Sequence, residues 1–287
     1  MITKRGSARM GEAESKRPVA FVTGASRGIG RASALRLAEA GFDLVLTGRS
    51  VSQPVDHGGH ALRGSLREVE KESAAHGAAA VCASLDLLDP ASIRAAVASG
   101  LERFGRIDAV VHSATHIADG NADDVLALKL DALDESLRAN VVGSTCLMQA
   151  VLPKMIERGA GVWISLVSGA AVLDPPHRAS EGGWGFLYGS QKAALFRLAG
   201  VVNSEVGDRG IRAYNLQPGI VSTEVLRKSF VSDGPLEEVW GVAPPEIPAA
   251  VIEWLITQDL EGARLGRGVV AQKLCAELGL VEGWHFE

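Results

Sequence analysis

Short apolar segments alternate with longer helical segments along almost the whole chain, and this alternation limits the possible folds most strongly. The segments of strand length are VAFVTG, FDLVLTGR, AAAVCASLD, IDAVVHSA, AGVWISLVSG and GIRAYNLQPG. Helical patterns lie between or after them, at roughly residues 62–76, 90–104, 124–157, 188–207 and 246–257. Apolar strands separated by helices of this length form βαβ units and a parallel sheet covered on both faces. We therefore predict an α/β fold with a doubly wound parallel sheet, in a single domain over residues 18–287.

The composition and charge exclude several classes of protein. The chain has 287 residues, of which 47% are hydrophobic and 22% are charged, as in ordinary globular proteins. Its net charge of -5 argues against a broad basic surface for nucleic acid. No apolar run approaches the roughly 18 residues that a membrane span requires. We therefore expect neither nucleic acid nor a membrane among its partners.

The cysteines and the N-terminus favour a cytoplasmic protein. Cys82, Cys146 and Cys275 are odd in number, far apart and without CxxC spacing, so we expect neither a disulfide framework nor a thiolate metal site. Residues 1–17 are polar and lack the continuous apolar region of a secretory signal. The glutamates in this segment argue against a transit peptide. We interpret residues 1–17 as a flexible tail.

Three segments interrupt the alternation, at residues 50–61, 173–187 and 222–247. In an open parallel sheet, ligands bind beyond the carboxyl ends of the strands, where connecting loops gather. We therefore predict that residues 174–187 and 222–247 are loops of a substrate site. The second loop contains apolar residues that favour a mostly apolar substrate, namely Leu226, Phe230, Val239 and Trp240.

The first strand leads through a glycine-rich turn into a helix, in the sequence VAFVTGASRGIGRASALRLAEAG. Gly24, Gly28 and Gly30 permit a tight turn and a close approach of the backbone to a phosphate. The helix that follows offers free N–H groups and the positive end of its dipole. The spacing is GxxxGxG, not the GxGxxG of the general dinucleotide fingerprint, and glycines alone are weak evidence. Their position between the first strand and the first helix predicts a dinucleotide site.

The end of the second strand indicates which dinucleotide binds. Sites for an unphosphorylated ribose usually place a carboxylate there, whereas sites for a 2′-phosphate use an arginine. Here the strand ends in LTGRS, so that Gly48 stands where an acid is expected and Arg49 follows. Arg27, inside the glycine turn, is a second candidate contact because guanidinium groups bind phosphate in a bidentate manner. We predict NADP(H) rather than NAD(H); the alternative is that both arginines are solvated surface residues.

Tyr188 is one of only two tyrosines in the chain, and it lies four residues before Lys192. At this spacing, two side chains share one face of a helix. The ordinary pKa of tyrosine, about 10, is too high for easy proton exchange at neutral pH, and a nearby ammonium favours the phenolate. The pair therefore predicts general acid–base chemistry. Ordinary packing of a tyrosine beside a snorkelling lysine is the alternative.

The motifs TGASRGIG, YGSQK and LQPGIVST, together with the strand end at Ser168, resemble those of the short-chain dehydrogenase/reductase family. The resemblance extends from about residue 18 to about residue 257. It implies a Rossmann-type fold with about seven strands, a nicotinamide cofactor, and assembly as a homodimer or homotetramer.

The same resemblance implies roles for particular residues. Ser168 orients the substrate oxygen, Tyr188 exchanges the proton, and Lys192 binds the nicotinamide ribose and lowers the pKa of the tyrosine. Asn140 supports a proton-relay water beside the lysine, and Asp86 contacts adenine. The implied cofactor-binding residues are Gly24, Ser26, Arg27, Gly28, Ile29, Gly30, Arg49, Asp86, Leu87, Ala114, Tyr188, Lys192, Pro218, Gly219, Ile220 and Thr223.

The end of the fourth strand departs from the family pattern. It reads HSAT where the family often has Asn-Asn-Ala-Gly, so that Ala114, which faces the cofactor in the family, is kept. Thr115 replaces a glycine, and we expect it to narrow the site or to reshape the loop that follows. A histidine in a strand, such as His112, is more often a structural group than a second acid–base. His112 and His116 straddle the strand end, which argues against a shared metal.

Two further departures concern the insertion and the C-terminus. Ser168 and Tyr188 are 20 residues apart, further than is usual in the family, so the insertion DPPHRASEGGWGFL must loop out over the pocket. Trp184 and Phe186 either line a substrate site or merely anchor this loop. The chain ends in GRGVVAQKLCAELGLVEGWHFE. We expect GVVAQKL to be the last strand and the remainder to be an extension at a subunit contact.

These features predict an oxidoreductase that transfers a hydride between NADP(H) and the carbonyl or secondary alcohol of a small, mostly apolar substrate. Tyr188 is the predicted general acid and base. One alternative is a sensor or scaffold that binds NADP(H) without significant turnover, which the complete set of Ser168, Tyr188 and Lys192 disfavours. Another is lyase or dehalogenase chemistry without nicotinamide, against which the glycine turn and Lys192 argue.

Overall fold

The computed structural model describes residues 17–53, 56–57, 60–61, 64–229, 241–266 and 268–286. The strands are β1 (Val19–Thr23), β2 (Asp43–Gly48), β3 (Asp56–His57), β4 (His60–Ala61), β5 (Ala80–Ser84), β6 (Ala109–His112), β7 (Gly161–Leu166), β8 (Ile211–Gln217) and β9 (Gly268–Val270). The α-helices are α1 (Gly28–Glu39), α2 (Leu66–Ala74), α3 (Pro90–Phe104), α4 (Leu130–Leu137), α5 (Ser144–Arg158), α6 (Phe186–Val206), α7 (Glu224–Ser229), α8 (Glu246–Thr257) and α9 (Ala271–Leu278). A π-helical turn, Arg138–Gly143, joins α4 to α5.

Seven strands form one sheet in the order β5-β2-β1-β6-β7-β8-β9, and all paired neighbours are parallel. The chain builds the sheet outward in one direction from β1 through β2 to β5, and in the other from β6 to β9. The strand order therefore reverses between β1 and β6, which is where open α/β sheets bind ligands. The predicted Rossmann-type fold, a doubly wound parallel sheet in a single domain, is confirmed.

Both faces of the sheet are apolar because successive residues of a strand point to opposite sides. From β1, Val22 packs in one core with Leu37 of α1 and Ile252 of α8. Its neighbour Phe21 packs in a second core with Leu147 of α5, on the other face. Helices thus cover the sheet on both sides, which explains why its strands read as continuous apolar runs rather than as alternating ones.

Local capping signals place α3 where the sequence predicts it. The Asp89 carboxylate accepts a hydrogen bond from the Ala91 N–H, and Pro90 is the first helical residue. Gly105 ends the helix in the left-handed region, with φ of 72°. The predicted bounds 90–104 and 246–257 are those observed for α3 and α8.

Two predicted elements differ from the structure. The segment GVVAQKL is a strand only as far as Val270, and Ala271 begins helix α9. Ala271, Leu274 and Cys275 are buried at helical spacing, and this packing stabilises a helix rather than a longer edge strand. The long helix expected at 124–157 begins at Leu130 and contains the π turn.

The ends of the described chain add two observations. Of the expected N-terminal tail, only Arg17 lies within the described residues. Its guanidinium donates hydrogen bonds to the Ala38 and Gly77 carbonyls, so Arg17 is part of the folded domain. Across the described ranges, no helix has both the length and the apolar character needed to cross a membrane.

Candidate active site

The glycine turn lies at the carboxyl end of β1, beside the end of β6. Gly24 has a φ of 65°, and a Cβ at this position would lie 3.1 Å from the Ala114 α-carbon. A Cβ on Gly30 would lie 2.3 Å from the Gly24 carbonyl oxygen. Neither glycine can be replaced without movement of the backbone. The turn therefore has no room for side chains at these two positions, and Ala114 lies next to it.

Helix α1 begins at this turn with N–H donors that have no partner within the helix. Its N-cap residue, Arg27, makes no side-chain capping bond, and its first turn contains no acidic residue. The Gly28 N–H donates instead to the Glu224 carboxylate, 3.1 Å away at the start of α7. A carboxylate thus lies where the N–H groups and the helix dipole attract an anion. These donors and the narrow turn fit the pyrophosphate of a dinucleotide.

Arg27 and Arg49 lie close enough to each other, beside the turn, for their charges to interact. Burial lowers the pKa of Arg27, the negative charge of Glu224 opposes this effect, and the positive charge of Arg49 adds to it. Arg49 is exposed, and Gly48 before it packs against Leu66. The structure therefore brings together the two guanidinium groups that the sequence predicts for a phosphate, at a strand end without a carboxylate.

Asp86 and Leu87 follow β5 at the same edge of the sheet. The Asp86 carboxylate accepts a hydrogen bond of 2.9 Å from the Leu88 N–H, which fixes the turn. Gly143, in the π turn, packs directly against this segment, because a Cβ there would lie 2.2 Å from the Leu87 carbonyl oxygen. The predicted adenine-binding segment and the turn that carries Asn140 are therefore in contact.

Ser168, Tyr188 and Lys192 come together at the carboxyl end of β7. Ser168 follows this strand, and its hydroxyl lies close enough to the Tyr188 phenol to lower the pKa of that group. The Lys192 Nζ, one turn further along α6, lies 5.8 Å from the centre of the Tyr188 ring. It donates a hydrogen bond of 2.9 Å to the carbonyl of Leu166, the last residue of β7. This bond fixes α6 to the strand that positions Ser168.

Burial dominates the ionisation of Tyr188 and Lys192 in the protein alone. It raises the pKa of the Tyr188 phenol, and the neighbouring Ser168 hydroxyl opposes this effect. It also lowers the pKa of Lys192 from 10.5 to about 8. The lysine thus stays mostly protonated at pH 7. The expected lowering of the tyrosine pKa is not seen in the protein alone, because desolvation of the phenolate outweighs the other effects.

Asn140 is buried in the π turn and fixes the loop that follows β6. Its Oδ1 accepts hydrogen bonds from the His116 N–H at 2.8 Å and from the Thr115 hydroxyl at 3.2 Å. Its Nδ2 donates to the His116 carbonyl at 2.8 Å. The Thr115 hydroxyl thus connects the loop after β6 to the Asn140 side chain.

His112 is a neutral structural group, as the sequence suggests for a histidine in a strand. Its Nδ1 lies 3.1 Å from the Thr23 hydroxyl and its Nε2 lies 2.6 Å from the Ser144 hydroxyl. Burial and the charge of Lys192 lower the pKa of His112 from 6.5 to about 3. His116 instead bonds to Glu135, and the described residues contain no cluster of three or more metal-ligating side chains.

Residues 218–223 follow β8 and close over the glycine turn. The Thr223 methyl group lies 3.1 Å from the position that a Cβ on Gly28 would take. Gly219 has a φ of 78° and packs against Gln272 of α9. The Gln272 side chain donates a hydrogen bond of 3.0 Å to the Ile220 carbonyl. The C-terminal helix therefore supports the segment that the family resemblance places beside the nicotinamide.

The two predicted substrate loops differ in what the structure describes. In the insertion at 174–187, the Asp124 carboxylate accepts hydrogen bonds from the Ser180 N–H at 3.2 Å and from its hydroxyl at 2.8 Å. This contact fixes the insertion to the segment before α4. Trp184 is partly buried, whereas Phe186 is 56% exposed. In the other loop, residues 224–229 form α7, and the predicted apolar residues Phe230, Val239 and Trp240 lie outside the described residues.

Comparison with known proteins gives the family. The family model described as short chain dehydrogenase matches residues 18–233. The chain belongs to the short-chain dehydrogenase family. Among the relatives of this short-chain dehydrogenase is an uncharacterized NAD-dependent oxidoreductase of Mycobacterium tuberculosis, 31% identical over 93% of this chain and 98% of its own length. The protein is thus an oxidoreductase of this family.

Solved structures of similar proteins contain either form of the cofactor. A metagenomic short-chain oxidoreductase in complex with NADP is 26% identical, with a TM-score of 0.66 over 88% of this chain and 94% of that one. A short chain dehydrogenase from Mycobacterium paratuberculosis bound to NAD is 27% identical, with a TM-score of 0.68 over 85% and 93%. Together with the glycine turn, they support a nicotinamide dinucleotide as the cofactor.

Several groups at the site were not found from the sequence. Glu224, Gln272 and Asp124 reach the site from distant parts of the chain, and nothing in their local sequence indicates those contacts. Ser144 carries a weak signal, because it lies four residues after Asn140 and therefore on the same side of a helix.

Proposed function

We propose that this short-chain dehydrogenase transfers a hydride between NADP(H) and the carbonyl or secondary alcohol of a small, mostly apolar molecule. The observation that carries the proposal is the group formed by Ser168, Tyr188 and Lys192 at the end of β7. It occupies the same edge of the sheet as the glycine turn. Reduction of a carbonyl by hydride transfer needs a cofactor site and a proton donor close together. The glycine turn is the proposed cofactor site, and Tyr188 is the proposed proton donor.

Ser168 and Tyr188 are suited to bind one substrate oxygen between them, because the Ser168 hydroxyl lies close enough to the phenol to influence the pKa of Tyr188. Hydrogen bonds from both groups orient a carbonyl and polarise it. Since burial raises the pKa of Tyr188, the phenol holds its proton at neutral pH and donates it to the oxygen during reduction. The Lys192 ammonium then stabilises the phenolate. The nicotinamide, when bound, supplies or accepts the hydride.

The preference for NADP(H) rests on Arg27 and Arg49. Their charges interact beside a strand end that carries no carboxylate, and both positive charges would attract a 2′-phosphate placed there. We expect Arg49→Ala to weaken NADPH binding roughly tenfold or more, since a hydrogen bond to a charged group contributes about 1.5–3 kcal/mol. NADH binding should change little. Titration by nicotinamide fluorescence measures both affinities, and an equal loss for the two cofactors would contradict the assignment.

Tyr188→Phe tests the proposed chemistry. The variant should bind NADPH normally and lose turnover by about 100-fold or more, the usual size of a general acid's contribution. NADPH oxidation is followed with a panel of aldehydes and ketones. Tyr214→Phe is the matched control, because the Tyr214 phenol bonds to Asp259 at 3.0 Å rather than to the site. Binding of NADPH to the wild-type protein without oxidation across the panel would favour a sensor or scaffold instead.

A further inference from the structure

Two residues that depart from the family pattern at the end of β6, His112 and Thr115, are connected to Asn140 by hydrogen bonds. The Thr115 hydroxyl bonds to the Asn140 side chain. His112 reaches the main-chain carbonyl of Asn140 through the hydroxyl of Ser144, with distances of 2.6 Å on each side of that hydroxyl. The charge of Lys192, in the proposed proton-transfer site, acts on His112.

The direction of each hydrogen bond in this chain follows from the chemistry of its ends. A carbonyl oxygen only accepts, so Ser144 donates its single hydroxyl proton to Asn140. The Ser144 oxygen then accepts from His112 Nε2, which must carry the ring proton. At the other end, Thr23 Oγ1 accepts hydrogen bonds from the Ser113 and Ala114 N–H groups, at 3.0 Å and 2.9 Å. The Thr23 hydroxyl therefore donates to His112 Nδ1.

These assignments leave one protonation state for His112, the neutral tautomer with the proton on Nε2. A second proton on Nδ1 would face the Thr23 hydroxyl, whose oxygen already accepts two N–H groups. The imidazole thus forms a fixed link between β1, the end of β6 and the start of α5. The glycine turn follows β1, Ala114 follows β6, and the π turn with Asn140 precedes α5. The link therefore connects the proposed cofactor site to the π turn.

We propose that His112, acting through Ser144, is a positioning residue for the main-chain carbonyl of Asn140. The inference rests on the proposed function and on the role that the family resemblance implies for Asn140, which is to support a proton-relay water beside Lys192. Inside the π turn, the Ser144 N–H bonds to the Val141 carbonyl rather than to that of Asn140. The Asn140 carbonyl therefore lacks a hydrogen bond from the Ser144 N–H, and it accepts one from the Ser144 hydroxyl instead. The family's asparagine at position 112 is too short to reach Ser144 from the strand, so the histidine supplies a connection of its own.

Two substitutions of His112 separate its two bonds. In His112→Gln, the amide N–H₂ takes the place of Nε2 and retains the bond to Ser144. In His112→Asn, the carbonyl takes the place of Nδ1 and retains only the bond from Thr23. Ser144→Ala removes the link while leaving the imidazole in place. We expect His112→Asn and Ser144→Ala to lower kcat about tenfold with an increased solvent isotope effect on kcat, and His112→Gln to stay within about twofold of wild type.

Two measurements distinguish positioning from simple stabilisation. NADPH affinity from nicotinamide fluorescence should be unchanged in all three variants, and histidine ¹⁵N shifts should show the Nε2–H tautomer in the wild type. Thr47→Val is the matched control, because the Thr47 hydroxyl is buried in the neighbouring β2 and bonds to the Val22 carbonyl at 3.1 Å. This variant should lose stability without any change in the solvent isotope effect. The double variant His112→Asn/Ser144→Ala should be no slower than either single variant, since both break one link.

If Ser144→Ala kept the kcat and the solvent isotope effect of the wild type, the inference would be overturned but the proposed function would stand. The same holds if the wild-type His112 carried its proton on Nδ1. An equal loss of turnover in Thr47→Val would also overturn it, because the effect would then follow stability only. Absence of turnover in the wild-type protein with every carbonyl would overturn the proposed function, and this inference with it.

Discussion

Lys192→Met tests the cost of keeping an ammonium group buried in the proposed site. The Lys192 side chain is only 7% exposed, and burial lowers its pKa from 10.5 to about 8. Methionine is unbranched and flexible, so it replaces the aliphatic part of the lysine without the charge. The variant therefore removes an unfavourable desolvation together with a group that the proposed chemistry requires.

The size of the effect follows from the pKa change. At about 1.4 kcal/mol for each pKa unit, the difference between 10.5 and about 8 corresponds to about 3 kcal/mol of stability. Because the pKa is lower in the folded state, this cost is fully present below pH 8 and disappears as the pH rises towards 10.5. Loss of the bond from Lys192 to the Leu166 carbonyl costs about 1 kcal/mol at any pH.

We therefore expect Lys192→Met to be more stable than wild type by about 2 kcal/mol at pH 7, and to lose this advantage by pH 10. Turnover with NADPH should be abolished. Urea unfolding followed by circular dichroism at both pH values measures the free energy of unfolding. Lys273→Met is the control, since the Lys273 side chain is 63% exposed and should show no such pH dependence. A stability difference for Lys192→Met that is the same at pH 7 and pH 10 would refute the reasoning.

Two further predictions concern contacts that the structure adds to the site. Glu224→Gln should tighten the binding of both NADPH and NADH about fivefold. The Glu224 carboxylate would repel a bound pyrophosphate by about 1 kcal/mol. The glutamine removes this repulsion and keeps an oxygen that accepts a hydrogen bond from the Gly28 N–H. Unchanged or weaker binding by fluorescence titration would contradict this. Asp124→Ala releases the insertion at Ser180, so KM for the carbonyl substrate should rise while NADPH affinity stays constant. Steady-state kinetics measures both, and a change in cofactor affinity alone would contradict the proposed substrate loop.

The sheet and most of its helices were predictable because their signals are local. The bounds of α3 follow from Asp89, Pro90 and Gly105, which cap the helix within its own sequence. The C-terminal strand was not predictable in the same way. Its length depends on pairing with Asn215–Gln217 of β8, and residues 271–278 form a helix because their apolar side chains reach the core.

The proposed site shows the same division between local and distant signals. Tyr188 and Lys192 are four residues apart on one helix, so the sequence itself brings them together. The direction of the tyrosine pKa change depends on burial, which spacing does not reveal. The link from His112 through Ser144 to Asn140 joins three elements that are separate in sequence, and only the fold places them in contact.

Transfer of deuterium from the reduced nicotinamide to the substrate is the most direct test of the proposed reaction, in which the cofactor supplies the hydride and Tyr188 supplies the proton. NADPH with deuterium at both C4 positions is incubated with the protein and a carbonyl substrate, and the product is analysed by mass spectrometry. The wild-type protein should place deuterium on the former carbonyl carbon, and Tyr188→Phe should bind the cofactor but transfer deuterium about 100-fold more slowly. Products without deuterium, or equal rates of transfer in the two proteins, would contradict the account.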